Sequence, residues 1–226
     1  LHIAGPESRS LLAKMTSADV SNESQPFLSG KRINLAGEVQ SIALRVSFTG
    51  ELGYELYFPS EHSLDVYHSI REAGEEFELR PVGSHALMSL RLEKSYPSWG
   101  FDLTSDYYPA ECGMDRFVAM DKGDFIGRDA LTKLAGPREK IATFEVDAVG
   151  ADAYTGEPVF CNGELAGYVS SGGYGYRVDR SLALGYVTPD FYDSGNDFEI
   201  EIIGERRAAK MTNGATYDPT GTRAKA

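Results

Sequence analysis

The feature that most constrains this chain is a change of texture at Gly136-Pro137. Beyond it come six short apolar stretches, residues 141–146, 158–161, 165–170, 182–187, 198–203 and 206–211, separated by turns rich in Gly and Asn. Each stretch is too short for an ordinary helix, and a lone short strand cannot satisfy its own backbone N–H and C=O groups. Strands at this spacing pair with one another into a small barrel or sandwich. Ser171-Gly172-Gly173-Tyr174 is read as a hairpin turn within it.

Residues before the break mix helix and strand. Pro6 suits the first turn of a helix with Leu11, Leu12 and Met15 on its core side. Val39–Ser47 reads as a strand with Ile42, Leu44 and Val46 alternating, and Gly53–Pro59 as the returning strand. In the second strand Tyr54, Leu56 and Phe58 share one face, and Glu55 and Tyr57 the other. Ser60 is placed to cap a helix bearing Leu64, Tyr67 and Ile70. Another helix is expected over Ser84–Lys94 with Leu87, Met88 and Leu90 buried, then a long loop to Ala110 and a short helix over Gly127–Leu134. The polar tail after Asn213 is expected to fray.

Composition sets limits on partners. The chain has 226 residues, with 34 acidic against 22 basic side chains and a formal charge of −12. Nucleic acid and anionic membrane surfaces require clustered Lys and Arg, so neither is an expected partner. No apolar run approaches the roughly 20 residues of a membrane helix, and residues 1–6 show no basic region followed by an apolar core, so no signal peptide is visible in them. Cys112 and Cys161 form no disulfide framework, which suits a reducing compartment such as the cytoplasm, or the mitochondrial matrix in a eukaryote.

The common catalytic patterns are missing. There is no Gly-x-Ser-x-Gly elbow and no phosphate loop. Gly173-x-Gly175 meets Val178 where a dinucleotide fingerprint needs its third glycine. His2, His62, His68 and His85 include no i, i+4 pair, so no metal site is expected.

Four stretches in order carry a resemblance. They are Arg45-Val-Ser-Phe-Thr-Gly-Glu-Leu-Gly-Tyr-Glu-Leu-Tyr57, Ala86-Leu-Met-Ser-Leu-Arg-Leu-Glu-Lys-Ser-Tyr96 with Trp99-Gly-Phe-Asp-Leu-Thr104, Asp121-Lys-Gly-Asp-Phe-Ile-Gly-Arg-Asp-Ala-Leu131, and Gly167-Tyr-Val-Ser-Ser-Gly172 with Leu182-Ala-Leu-Gly-Tyr-Val187. Together they resemble the later portion of the aminomethyltransferase (glycine-cleavage T-protein) family. Lys94 and the Trp99-Gly-x-Asp-Leu-Thr wording are closest to the folate-binding half of dimethylglycine and sarcosine dehydrogenases. Lys122-Gly-Asp-Phe-Ile-Gly127 departs from the Lys-Gly-Cys-Tyr-x-Gly-Gln motif of relatives that serve iron–sulfur assembly.

The resemblance implies an α+β chain: a partial folate-binding domain over residues 1–137, then a C-terminal β-barrel domain over 138–226. It implies tetrahydrofolate as cofactor, and FAD only where an upstream domain is present. Glu55 matches the glutamate that binds the pterin ring, with a solvated strand carboxylate as the alternative. Arg91 matches an arginine lining the folate site, with a helix salt bridge as the alternative. Phe48 stands where the family commonly has tyrosine, and Tyr96 and Trp99 could add aromatic walls or core. The family's catalytic aspartate matches no residue here, and Asp102 is not a substitute for it.

The implied reaction moves a one-carbon unit from an aminomethyl or methylated-glycine donor to tetrahydrofolate. Two other readings stay open: a folate-dependent demethylase of another methylated osmolyte, and a non-catalytic folate-binding or docking module. The chain reads as a fragment or processed product. By itself it is expected to be inactive, to need a preceding half or partner chain, and to self-associate through exposed strand edges.

Overall fold

A computed structural model describes residues 1–193 and 195–226. The chain forms two compact units, one of residues 1–90 and 218–226, the other of residues 91–217.

The first unit is built on a four-stranded antiparallel sheet. Its elements are β1 (His2–Ala4), α1 (Ser8–Met15), β2 (Gly30–Leu35), β3 (Val39–Leu44), β4 (Gly53–Tyr57) and α2 (Ser63–Ala73), with strand order β1-β4-β3-β2. Strand alternation sends Ile3, Ile33, Leu35, Ala43, Tyr54 and Leu56 to one face. There they pack with Leu11, Leu12 and Met15 of α1 and with Val66 and Ile70 of α2.

The faces of β3 and α2 and the start of α2 qualify the sequence reading. On β3 the buried residues are Ser41 and Ala43, while Ile42 is 40% exposed. The larger aliphatic residues of this strand therefore face away from the helices. On α2 the core side is Val66 and Ile70, whereas Leu64 and Tyr67 are exposed. Residues 60–62 form a 3-10 turn ahead of α2, and Ser60 makes no side-chain cap.

The polar tail is held rather than frayed. Asp218 Oδ1 accepts from Thr222 N at 3.1 Å and from the Thr222 hydroxyl at 2.7 Å, which starts a helical turn over Thr222–Lys225. Arg45, with 1% exposure, donates to the carbonyls of Gln25, Lys225 and Ala226 at 2.9, 2.9 and 2.7 Å. Arg9 adds a bond to the Ala226 carbonyl at 2.7 Å. A buried guanidinium needs such acceptors, and the tail supplies them.

The division between units falls within α3 (Ser84–Glu93). Its Leu87, Met88 and Leu90 are only half-buried. The fully buried residues are Arg91, Leu92 and Glu93, so the end of this helix is anchored by buried polar groups together with Leu92, which packs on Leu182 and Leu184.

The second unit contains the expected barrel. β5 (Lys140–Val146), β6 (Pro158–Cys161), β7 (Glu164–Gly175), β8 (Arg180–Val187), β9 (Phe198–Ile202) and β10 (Glu205–Met211) close in the order β10-β5-β8-β7-β6-β9. Closure leaves no unpaired edge. The interior is filled by Phe144, Val159, Cys161, Val169, Val187, Phe198 and Ile200. Phe144 and Phe198 meet edge to face with centroids 5.2 Å apart.

Residues 171–174 lie inside β7, not at a turn, and pair with residues 181–184 of β8. The reversal is carried instead by residues 176–179, with Asp179 at φ 57°. The glycines of β7 serve close approach. A Cβ on Gly167 would lie 1.8 Å from the Tyr186 carbonyl oxygen, and one on Gly172 would lie 2.2 Å from that of Ala153.

Candidate functional site

The sheet of the first unit has one face without helices packed on it in that unit, and the register fixes what it displays. Glu55 sits opposite His2 on one side and Leu44 on the other. Two residues along, Tyr57 sits opposite Ile42, and Ile42 opposite Arg32. Side chains two apart on a strand share a face, so these two rows lie side by side.

The Tyr57 hydroxyl donates to Glu55 Oε2 at 2.6 Å. That bond to the charged carboxylate, with its negative field, holds the Tyr57 phenol above its ordinary value. Glu55 Oε1 accepts no hydrogen bond among the described residues. His2 is exposed on β1, yet partial desolvation by the chain around it lowers its affinity for a proton, while the charge of Glu55 works in the opposite direction. The result is a half-exposed carboxylate with one oxygen oriented and one available. Beside it lies an apolar floor made by Tyr57, Ile42 and Leu44.

Phe48 is half-buried in the connection between β3 and β4. It and Glu55 are the expected site residues of the first unit; Arg91, Tyr96 and Trp99 belong to the second.

In the second unit Arg91 is committed inward. Its Nη1 donates to Asp102 Oδ2 at 2.6 Å, with side-chain exposures of 1% and 0%. Asp102 Oδ2 also accepts from Ser98 N at 2.8 Å. Oδ1 accepts from the Ser170 hydroxyl and, at 2.6 Å, from the Ser171 hydroxyl. The Asp102 carbonyl receives the Tyr186 hydroxyl at 2.7 Å, and the Tyr186 ring stacks on Tyr107 at 3.9 Å. Burial pushes the Arg91 guanidinium below its ordinary range, and Asp102 offsets that. Both carboxylate oxygens and the carbonyl of Asp102 are engaged by this chain's own groups, which makes it a packing hub.

Tyr96 is half-buried with the Lys94 ammonium 5.8 Å from its ring centre. Trp99 is 76% exposed and pairs with Leu103 in an isolated bridge. Among the described residues there is no cluster of three or more His, Cys, Asp or Glu able to hold a metal, and no helix is long and apolar enough to cross a membrane.

Of the side chains that share this face, sequence reasoning weighs His2 only as a metal ligand and does not single out Arg32. Tyr57 was placed beside Glu55 by strand alternation. The cross-strand neighbours depend on register, which no local pattern announces.

Comparison with known proteins decides the ancestry of both units. Residues 1–122 match the GCVT N-terminal domain, and residues 139–218 match the glycine cleavage T-protein C-terminal barrel domain. The chain belongs to the glycine-cleavage T-protein (aminomethyltransferase) family. It is 36% identical over 214 residues to mitochondrial dimethylglycine dehydrogenase of Mus musculus, covering 93% of this chain and 24% of the dehydrogenase. It is also 36% identical over 224 residues to 4-methylaminobutanoate oxidase (formaldehyde-forming) of Paenarthrobacter nicotinovorans, covering 98% of this chain and 27% of the oxidase. The chain thus spans about a quarter of these relatives. The fold matches that of glycine cleavage system aminomethyltransferase T from Bartonella henselae with a TM-score of 0.76 at 24% identity, covering 93% of this chain and 57% of that one.

Proposed function

We propose that this chain is the tetrahydrofolate-binding C-terminal part of an aminomethyltransferase-like protein, acting in transfer of a one-carbon unit from an aminomethyl or methylated-glycine donor to tetrahydrofolate. The observation that carries this reading is Glu55, half-exposed on the open sheet face with Oε1 available and Oε2 fixed by Tyr57. A pterin presents an exocyclic amino group and a ring N–H side by side, and a carboxylate can accept from both. Each such charge-assisted bond contributes roughly 1.5–3 kcal/mol. The adjacent Leu44, Ile42 and Tyr57 give a flat ring a surface to lie on. The donor set therefore fits the group. When bound, tetrahydrofolate supplies the nitrogen that accepts the one-carbon unit, and the part of this chain is to bind and orient it.

Phe48 is a candidate aromatic contact in the same unit. Arg91, Tyr96 and Trp99 remain candidates for folate contact on the resemblance alone. We place the barrel domain after residue 137 and the protein in the cytoplasm or the mitochondrial matrix; the mouse relative is described as mitochondrial.

The second reading is demethylation of another N-methylated compound on the same scaffold. It is favoured by the similarity to an oxidase whose name specifies a methylaminobutanoate and formaldehyde formation.

The test is an assay of tetrahydrofolate-dependent one-carbon transfer, with dimethylglycine, sarcosine and methylaminobutanoate as donors. It should be run on residues 1–226 and on a longer protein that includes them. The shorter polypeptide is expected to be inactive, because it matches no family catalytic aspartate and a site misplaced by about 1 Å can lose on the order of 100-fold in rate. Activity of residues 1–226 within about tenfold of the longer protein would overturn that assignment. Donor preference separates the two readings.

A further inference from the structure

We propose that Arg32 is the anion subsite of the open sheet face and takes the glutamyl carboxylates at the tail of a folate. This rests on the reading of Glu55 given above and extends it to the other end of the ligand.

Arg32 stands on β2 in the row Tyr57–Ile42–Arg32. It lines a groove of about 680 Å³ at the end of the sheet in the first unit, between residues 16–18 and the open-face residues Asn34, Ile42 and Tyr57; Glu55 lies outside this groove, along β4. No other Lys, Arg, Asp or Glu lines that groove. Among the described residues Arg32 makes no hydrogen bond and no ion pair, and it is exposed. In a chain of net charge −12, with 34 carboxylates available as partners, an unpaired guanidinium in a concave site is a site for a negative ligand. Guanidinium matches a carboxylate in a two-pronged geometry, which a lysine would not.

The spacing suits one molecule reaching both ends. Glu55 and Tyr57 are two residues apart along β4, roughly 7 Å, and β2 lies two strands from β4, roughly 10 Å. The strand positions of Glu55 and Arg32 are therefore about 12 Å apart on one face. Between them lie Tyr57, 54% exposed, and Ile42, 40% exposed. A folate carries a pterin, then an aminobenzoyl ring, then glutamate. With the pterin at Glu55, the benzoyl ring rests on Tyr57 and Ile42, and the carboxylates arrive at Arg32. The apolar side of β3, turned away from the helices at a cost in buried area, then has a purpose.

Two titrations of a protein that includes residues 1–226 test this, and neither depends on turnover. In the first, calorimetry compares 5-formyltetrahydrofolate bearing three γ-linked glutamates with a pteroate analogue lacking glutamate, on wild type, Arg32→Met and Glu55→Gln. Arg32→Met is expected to weaken the glutamylated form about tenfold and the tail-less form less than twofold. Glu55→Gln is expected to weaken both. An equal effect of Arg32→Met on the two ligands, or no effect, overturns the subsite. In the second, NMR follows the Arg32 Nε–H during addition of γ-linked triglutamate alone. A saturable shift at that resonance, absent with a neutral γ-linked glutamine peptide, is expected. No shift overturns the proposal even if the pterin binds. A shift in a chain that binds no pterin leaves the subsite standing and removes the folate reading of Glu55.

Discussion

The guanidinium of Arg91 and the carboxylate of Asp102 meet at 2.6 Å with both side chains out of contact with water. The aspartate also gathers the Ser98 amide and the Ser170 and Ser171 hydroxyls, so one carboxylate ties the chain after α3 to β7. Removing one member of a buried pair leaves the other charged and unsolvated, which costs more than the pair itself contributes.

Asp102→Ala is accordingly expected to destabilise the second unit by about 3–5 kcal/mol. Urea unfolding followed by a probe in the barrel is the measurement. A loss under about 1 kcal/mol would mean that the pair is not buried as described. Ser171→Ala, which removes one of several donors, is expected to cost about 1 kcal/mol.

The acid sensitivity of the second unit is expected to depend on Glu111. Its Oε1 accepts from the Arg138 amide and Nε, both at 2.9 Å, and its Oε2 accepts from Arg138 Nη2 at 3.0 Å and Tyr108 N at 3.2 Å. The Arg138 side chain leads in holding this carboxyl below its ordinary value, with the backbone amides assisting. A depressed folded value means stability that is fully present above the unfolded pKa, about 4.3, and lost as pH falls through the folded one. Glu111→Gln should therefore differ most from wild type near neutrality, and the difference should shrink below about pH 4. A difference that grows on acidification would reverse the sign.

Tyr57 reports directly on the candidate site. Its phenol should titrate above the ordinary value of 10, because its proton is held by Glu55. In Glu55→Gln the titration should fall back toward 10. The ring carbon resonance bearing the hydroxyl gives this curve by NMR, and coincident curves in the two proteins would mean the bond is absent.

How far the sequence leads is uneven, for physical reasons. The barrel was legible because each short strand is bounded by turn residues; the six expected stretches became β5 to β10. Only the position of its β7–β8 turn was misplaced, because Gly172 and Gly173 look like turn residues but serve close packing. In the first unit the alternation of β4 placed Glu55 and Tyr57 correctly. On β3 the alternation holds but does not say which face is core: Ala43 is buried and the larger Ile42 is exposed. β1 and β2 left little trace: one is three residues long, and the other begins Gly-Lys-Arg, with few apolar positions to reveal a period. The environment of Arg91 was hidden because its partner Asp102 is itself held by Ser170 and Ser171, which are distant in sequence; a helix motif says that an arginine is present, not what it faces.

The most direct measurement of the central claim is calorimetry of 5-formyltetrahydrofolate against wild type and Glu55→Gln, in a protein that includes residues 1–226. Glutamine keeps the shape but replaces one acceptor with a donor. The account predicts a dissociation constant raised at least about tenfold, equivalent to about 1.4 kcal/mol, with the melting temperature within about 3 °C of wild type. Equal dissociation constants for the two proteins would remove Glu55 from the folate site and contradict the account.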